Sequence, residues 1–291
     1  MAPAIRRKKR KDEIKVTIAP FRNLADFKTC EDIQREVWNS QDIDVVPAPM
    51  LLAANRSGGI VLGAYSNLGD LIGFAFSILA LEGANLIQLS YMLAVRAAYR
   101  NFDVGFKLEM ALRKESLKRK ISKIQSAFDP MQPANAYFSL GKLGAWGDVY
   151  EENFCGETTS LLDRGLPTDR VLVHWDLEDS EVARRLETGP PRRDARKDLK
   201  QRPIINQLTE TAPGMMVCSP VKLNCTSSQF LFEIPYNLQE IKNRDLGIAL
   251  EWQGKMRQVF RHYFKKDFVA SDFWVLEQDG RLRAFYLFAR K

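Results

Sequence analysis

The sequence predicts an α/β protein, and three observations carry that expectation. Alternating or β-branched apolar runs interleave with segments of near-helical apolar spacing, in the order β-α-α-β-β-β-α-β-α-β-β over residues 14–178. The 291 residues are 45% hydrophobic, 27% charged and 10% aromatic, enough for a sizeable core without disulfides or metals. Cys30, Cys155, Cys218 and Cys225 show no CxxC spacing, and His174 and His262 are the only histidines, so no metal and a reducing, cytoplasmic setting are expected. No apolar run reaches the roughly 18 residues of a membrane span, so no membrane partner is expected.

Each element has its own signal. EIKVTIAPF reads as a first strand, and Asn23–Trp38 as a helix with Leu24, Phe27, Ile33 and Val37 at near-helical spacing. Val46–Asn55 reads as a short helix entered through Pro49. Ser57–Gly83 reads as a hairpin turning at Gly69–Asp70, and ANLIQLSYMLAV as a strand apolar on both faces, hence central. A helix follows from Val104 to Lys120, then the strand SKIQSAFD, then a helix over Pro133–Leu143 stopped by Gly144. Trp146–Tyr150 and Arg170–Leu177 read as closing strands. Residues 179–214, with Pro190, Pro191, Pro203 and Pro213, read as a polar linker. Residues 215–291 read as a β-β-α-β-β unit packed on the first, with an Asn237–Glu240 capping signal, one long helix carrying Trp252 and Met256 in its core face, and a hairpin turning at Asp279–Gly280.

The formal charge of +7 resides in two polar segments. A basic tail over residues 1–13 carries +4 and Val182–Arg202 carries +5, leaving the rest at −2. Both read as solvated charge runs, so nucleic acid is not an expected partner; the functional alternative for IRRKKRK is an arm for RNA, DNA or anionic lipid.

Three stretches bear the chemistry. Tyr99-Arg-Asn-Phe-Asp-Val-Gly105 joins a strand to a helix N-terminus, where backbone N–H groups and the helix dipole favour an anion. Phe128–Phe138 carries a strand into a helix, and Gly141-Lys-Leu-Gly-Ala145 ends that helix. Their order resembles the GNAT acyltransferase superfamily, whose loop binds the diphosphate of acyl-coenzyme A and corresponds here to Arg100, Asn101, Phe102, Asp103, Val104 and Gly105. Further motifs are similar to an uncharacterised bacterial subgroup of predicted acetyltransferases: Val37–Trp38, Val46–Pro47, Gly58–Ala64, Met92–Val95 with Tyr99–Arg100, Phe128–Pro130 and Gly165–Arg170.

The resemblance implies a GNAT-type mixed central sheet (the acyl-CoA N-acyltransferase fold) with a smaller C-terminal α/β extension. It also implies acetyl-CoA as cosubstrate, a small-molecule or peptide amine as acceptor, and direct transfer. Leu93, Ala94 and Val95 would supply a backbone N–H to the oxyanion. Asn135 would either hydrogen-bond the pantetheine amides or cap its helix. Asp103 stands where the family has a glycine, adding a negative charge unless it caps the helix. Leu140 stands where many members have the tyrosine acid, so Tyr137, one turn away, is the acid candidate or else a half-buried helix aromatic. Candidates for the base are Glu82, Tyr91 and Ser90, with Asp129 either a fourth or a cap. The rival expectation is a catalytically impaired GNAT-fold binding protein. His174 reads as a sheet-face residue, His262 as structural, and Cys155 as an unactivated thiol.

Overall fold

In the computed structural model, which describes residues 15–163 and 165–291, helices and strands alternate as an α/β protein. The basic tail over residues 1–13 lies outside the described residues. The chain separates into two compact units, the first running to Gln125 and taking in the 158–163 loop, the second holding the remainder. This boundary falls inside a strand and not in the polar 179–214 segment.

The first unit contains β1 (Thr17–Pro20), α1 (Leu24–Trp38), α2 (Ala48–Arg56), β2 (Ile60–Tyr65), β3 (Leu71–Glu82), β4 (Asn85–Val95) and α3 (Val104–Lys118), and it ends within β5 (Lys123–Phe128). Asn23 starts α1 by accepting from the Asp26 amide at 3.2 Å, and Asn39 ends it in the left-handed conformation. The strands pair antiparallel in the order β1-β2-β3-β4. Phe27, Cys30 and Ile33 of α1 and Leu51 of α2 pack with Val61, Phe74, Phe76 and Ala94 on one sheet face. The alternate residues, including Leu62 and Ala75, point to the other face, which α3 covers. The 158–163 loop joins this unit through Asp44, whose carboxylate accepts from the Thr159 hydroxyl and amide at 2.5 and 2.6 Å.

β4 is less covered than its apolar sequence predicts: Asn85, Leu86 and Tyr91 are exposed. Tyr91 is the extra residue between Met92↔Phe76 and Ser90↔Ser77, and for Asn85 and Leu86 the cause is length. Pairing of β2 with β3 stops at Ile60↔Ser77, so the β3–β4 ribbon outruns its neighbour.

The second unit holds α4 (Pro133–Ala136), which continues into a wide turn over Tyr137–Lys142, then β6 (Trp146–Glu151), β7 (Arg170–Asp176), α5 (Ser180–Thr188), α6 (Ala195–Lys200), β8 (Leu208–Ala212), β9 (Met215–Cys218), β10 (Gln229–Pro235), α7 (Leu238–Arg244), α8 (Leu246–Phe264), β11 (Phe268–Gln278) and β12 (Arg281–Arg290). Its main sheet runs β7-β6-β11-β12-β10, with β8–β9 a separate hairpin. Phe230, Phe260, Tyr263, Phe268 and Phe288 stack into one aromatic core against α8, and Trp252 and Met256 are buried as expected.

Three sequence expectations change here. The helix over Pro133–Leu143 becomes a short α turn followed by π turns, with the Leu143 amide reaching back five residues to Phe138 O at 3.0 Å. The long C-terminal helix is two helices, because Asp245 adopts an extended conformation and caps α8 through the Ile248 amide at 3.0 Å. The 179–214 segment holds two helices and a strand. In it, Arg185 is buried, and its guanidinium takes the carbonyls of Leu140 and Gly141 at 2.9 and 3.1 Å. A π turn displaces carbonyls from their helical partners, and a buried guanidinium satisfies two of them at once. Among the described residues no helix is long and apolar enough to cross a membrane, and no cluster of three His, Cys, Asp or Glu side chains could hold a metal.

Candidate active site

β4 hands the chain to α3 through the turn 96–103, and the strand's pairing decides which amides are spent. Arg96 N–H donates to Ile72 O at 2.9 Å, which marks a hydrogen-bonded pair beside Val95↔Gly73. Bonded and non-bonded pairs alternate in an antiparallel ladder. Ala94 therefore exchanges its bonds with Phe74, whereas Leu93 and Val95 turn their amides away from β3. Of the three residues expected to offer an N–H to an oxyanion, Ala94 has none to give.

After a 3₁₀ turn at Ala97–Tyr99, Arg100 is extended and folds its Nε back to Val95 O at 3.3 Å. Asn101 and Asp103 both adopt positive φ, 70° and 58°. Asparagine and aspartate are the non-glycine residues that tolerate this region. The acidic residue thus preserves the backbone course that a glycine would give. Its position is the N-cap of α3, the last residue before the helix. The first intrahelical bond closes from Lys107 N–H to Asp103 O at 2.9 Å, so the amides of Val104 and Gly105 have no intrahelical acceptor.

Gly105 is informative because the fold does not demand it. Its φ is not positive, and an added Cβ would meet only Leu93 Cδ2, at an ordinary 3.7 Å. A glycine inside a helix costs about 1 kcal/mol relative to alanine. Here it leaves bare backbone in the first turn, close to two residues of left-handed conformation, Asn101 and Asp103.

One turn further along α3 lies Glu109, which none of the sequence motifs includes. It is 5% exposed, and Ser90 Oγ donates to its Oε1 at 3.2 Å. Burial pushes its carboxyl up to about 7, against a smaller lowering by the Ser90 hydrogen bond. The signal was present in the spacing: Gly105, Glu109, Leu112 and Ser116 form one i, i+4, i+7, i+11 stripe, and the last three are buried.

The remaining candidates are divided between the units. Glu82 lies at the far end of the β3–β4 ribbon opposite Asn85, its carboxylate paired with Lys123 at 2.6 Å. Seven residues of β3 separate it from Ala75, the partner of Leu93, which is about 23 Å at strand rise. The structure therefore does not bring Glu82 to the α3 end of β4. Tyr91 is 54% exposed and meets Phe76 edge-on.

In the second unit, Asn135 is exposed and donates to Gln132 Oε1 at 2.9 Å; Gln132, not Asn135, is the cap residue. Tyr137 is exposed at the start of the π turn, with its ring against Gly141, and Leu140 is fully buried. Asp129 accepts from Met131 N–H at 2.8 Å and from Gln132 Nε2 at 3.1 Å, the geometry of a turn cap. His174 pairs with Asp148 beneath Trp146 on the sheet.

No family model and no curated protein matches the sequence. Solved structures do. The chain is similar to the ribosomal-protein-S18-alanine N-acetyltransferase of Escherichia coli, with 15% identity and a TM-score of 0.43, covering 57% of this chain and 96% of that one. It is similar to an aminoglycoside 6'-acetyltransferase type Ii, with 20% identity and a TM-score of 0.44, covering 56% and 98%. A GNAT-family acetyltransferase of Staphylococcus aureus Mu50 follows, with 17% identity and a TM-score of 0.41, covering 56% and 100%.

Proposed function

We propose that the protein is a GNAT-type N-acyltransferase that moves an acyl group, acetyl in the first instance, from coenzyme A to a small-molecule or peptide amine. The observation that carries this reading is Gly105: a helical glycine that neither backbone conformation nor packing requires, placed where a diphosphate would approach the amides of α3. Asn101 and Asp103 support it by holding the turn in the left-handed course. Arg100 is exposed at the same turn and supplies a positive charge for a phosphate.

In the proposed reaction the amine nitrogen attacks the thioester carbonyl. The C–N bond forms, the C–S bond breaks, and the sulfur leaves with the electron pair and takes a proton. Charge develops on the carbonyl oxygen, and the Leu93 or Val95 amide is the donor proposed for it. Tyr137 is the proposed proton source for the thiolate, on the resemblance alone.

A second reading, a binding protein on the same scaffold, is favoured by one observation: Leu140, at the family's acid position, is wholly buried and carries no proton. Release of free thiol from acetyl-CoA in the presence of primary amines separates the two. The first reading expects amine-dependent release that falls about 100-fold or more in Tyr137→Phe if that residue is the acid. Binding of acetyl-CoA without release for any amine supports the second.

A further inference from the structure

Resting on that functional reading, we propose that Ser90 and Glu109 form the proton relay for the attacking nucleophile. The geometry begins with a bulge. β4 pairs with β3 through Met92↔Phe76 and then Ser90↔Ser77, so Tyr91 has no partner across the ribbon. Met92 and Ala94 pack with Phe74 and Phe76 on the face covered by α1 and α2. Leu93 points to α3, against Gly105. Strict alternation would send Ser90 to the α1 side. The extra residue shifts it to the α3 side, where it meets Glu109.

Coenzyme A chemistry places the reacting carbonyl at this point. The pantetheine arm separates thioester from diphosphate, so a diphosphate held at Asn101–Gly105 puts the thioester back along β4, toward the bulge. Ser90 is half-buried there and can meet the nucleophile directly or through one water, whereas Glu109 is buried and accepts from Ser90 at 3.2 Å. In the relay, an ammonium N–H bond breaks as its proton passes to Ser90 Oγ, and the Ser90 proton passes to the Glu109 carboxylate. Neutral amine and neutral Glu109 result, and the proton returns to solvent after product leaves. Water in place of the amine follows the same path.

Other carboxyls are already engaged. Glu82 is paired with Lys123, and both oxygens of Asp129 accept bonds from its own turn. The groups around Glu109 leave its titration to itself. The strands that α3 packs on, β1 to β4, carry only Tyr65, Glu82 and Tyr91 as ionisable side chains. Tyr65 is bonded to Asp26, Glu82 to Lys123, and Tyr91 lies on Phe76. On its own helix Arg113 stands one turn further on, and it does not shift the Glu109 carboxyl. With burial holding that carboxyl at about 7, the relay switches on near neutrality.

The test uses the full chain with acetyl-CoA and water as acceptor, reading free thiol across the neutral pH range. Wild type is expected to show a rate limb rising through about pH 7. Glu109→Gln should lose that limb and about 100-fold in rate above it, while binding acetyl-CoA as tightly as wild type by calorimetry. Ser90→Ala should match it, and Glu115→Gln, a half-buried α3 carboxylate paired with Lys118, should keep the limb. A limb that persists in Glu109→Gln overturns the relay, as does a wild-type rate no faster than buffer in a chain that binds acetyl-CoA. Failure of wild type to bind acetyl-CoA overturns the functional reading itself.

Discussion

Asp169→Ala is expected to cost about 3 kcal/mol of stability, the low end of the range for removing one partner of a buried ion pair, because Arg257 is half-buried and keeps Glu152 at 3.3 Å. The Asp169 side chain is wholly buried, and Arg257 approaches it with two nitrogens, Nε to Oδ2 at 2.6 Å and Nη2 to Oδ1 at 2.9 Å. Tyr150 donates its hydroxyl to Oδ2 at 2.7 Å, and the Asn153 amide donates to Oδ1 at 3.0 Å. One carboxylate thereby fastens β6, the 152–157 turn and α8. The neighbouring residues work alike: Thr168 receives the Phe154 and Cys155 amides, and Gln253 donates to Pro167 O at 2.7 Å. Truncation leaves four donor groups, from Arg257, Tyr150 and Asn153, without their acceptor. Urea denaturation measures the cost, and Asp169→Asn, which keeps shape and one acceptor, should lose less. A shift under about 1 kcal/mol in the alanine variant would show that the cluster is solvated and not structural.

The second large effect is a pH dependence. The Glu109 carboxyl binds its proton more tightly folded than unfolded, since burial raises it to about 7 from the ordinary carboxylate range. Between those two values the folded chain holds more protons, so stability declines as pH rises and levels off above about 7. A shift of this size corresponds to a loss on the order of 3 kcal/mol. Glu109→Gln keeps the shape and the Ser90 contact without a charge to desolvate. It should melt close to wild type in acid and clearly above it at alkaline pH. Parallel melting curves for both proteins over the whole range would contradict the buried, unpaired state of Glu109.

Local chemistry made much of the fold legible. The Gly69–Asp70 turn and the Asp279–Gly280 turn are fixed by residues whose conformational preferences act over four or five positions, and both stand as read. The β4–α3 turn was legible for the same reason. What escaped depends on distant partners. Arg185 has the look of a solvated charge, and its burial rests on distant partners: the carbonyls released by a π turn more than forty residues earlier and the buried Asp272 carboxylate at 3.3 Å. The π turn itself is invisible to a period of 3.6. It is permitted by Gly141, where a Cβ would stand 2.8 Å from Phe273 O. Asp245 was passed over because apolar spacing continues on both sides of it. Glu109 was hidden in a charged helix, although its stripe of small and apolar neighbours marked it as inward-facing.

The account stands on the anion site at the N-terminus of α3, and calorimetric titration tests that site most directly. Coenzyme A should bind the full chain, and pantetheine, which lacks the diphosphate, should bind at least about tenfold more weakly, the difference made by about 1.4 kcal/mol. Asp103→Gly, which removes a negative charge while keeping the left-handed turn, should tighten coenzyme A and leave pantetheine unchanged. Equal binding of the two ligands, or no heat from coenzyme A at millimolar concentration, would contradict the assignment.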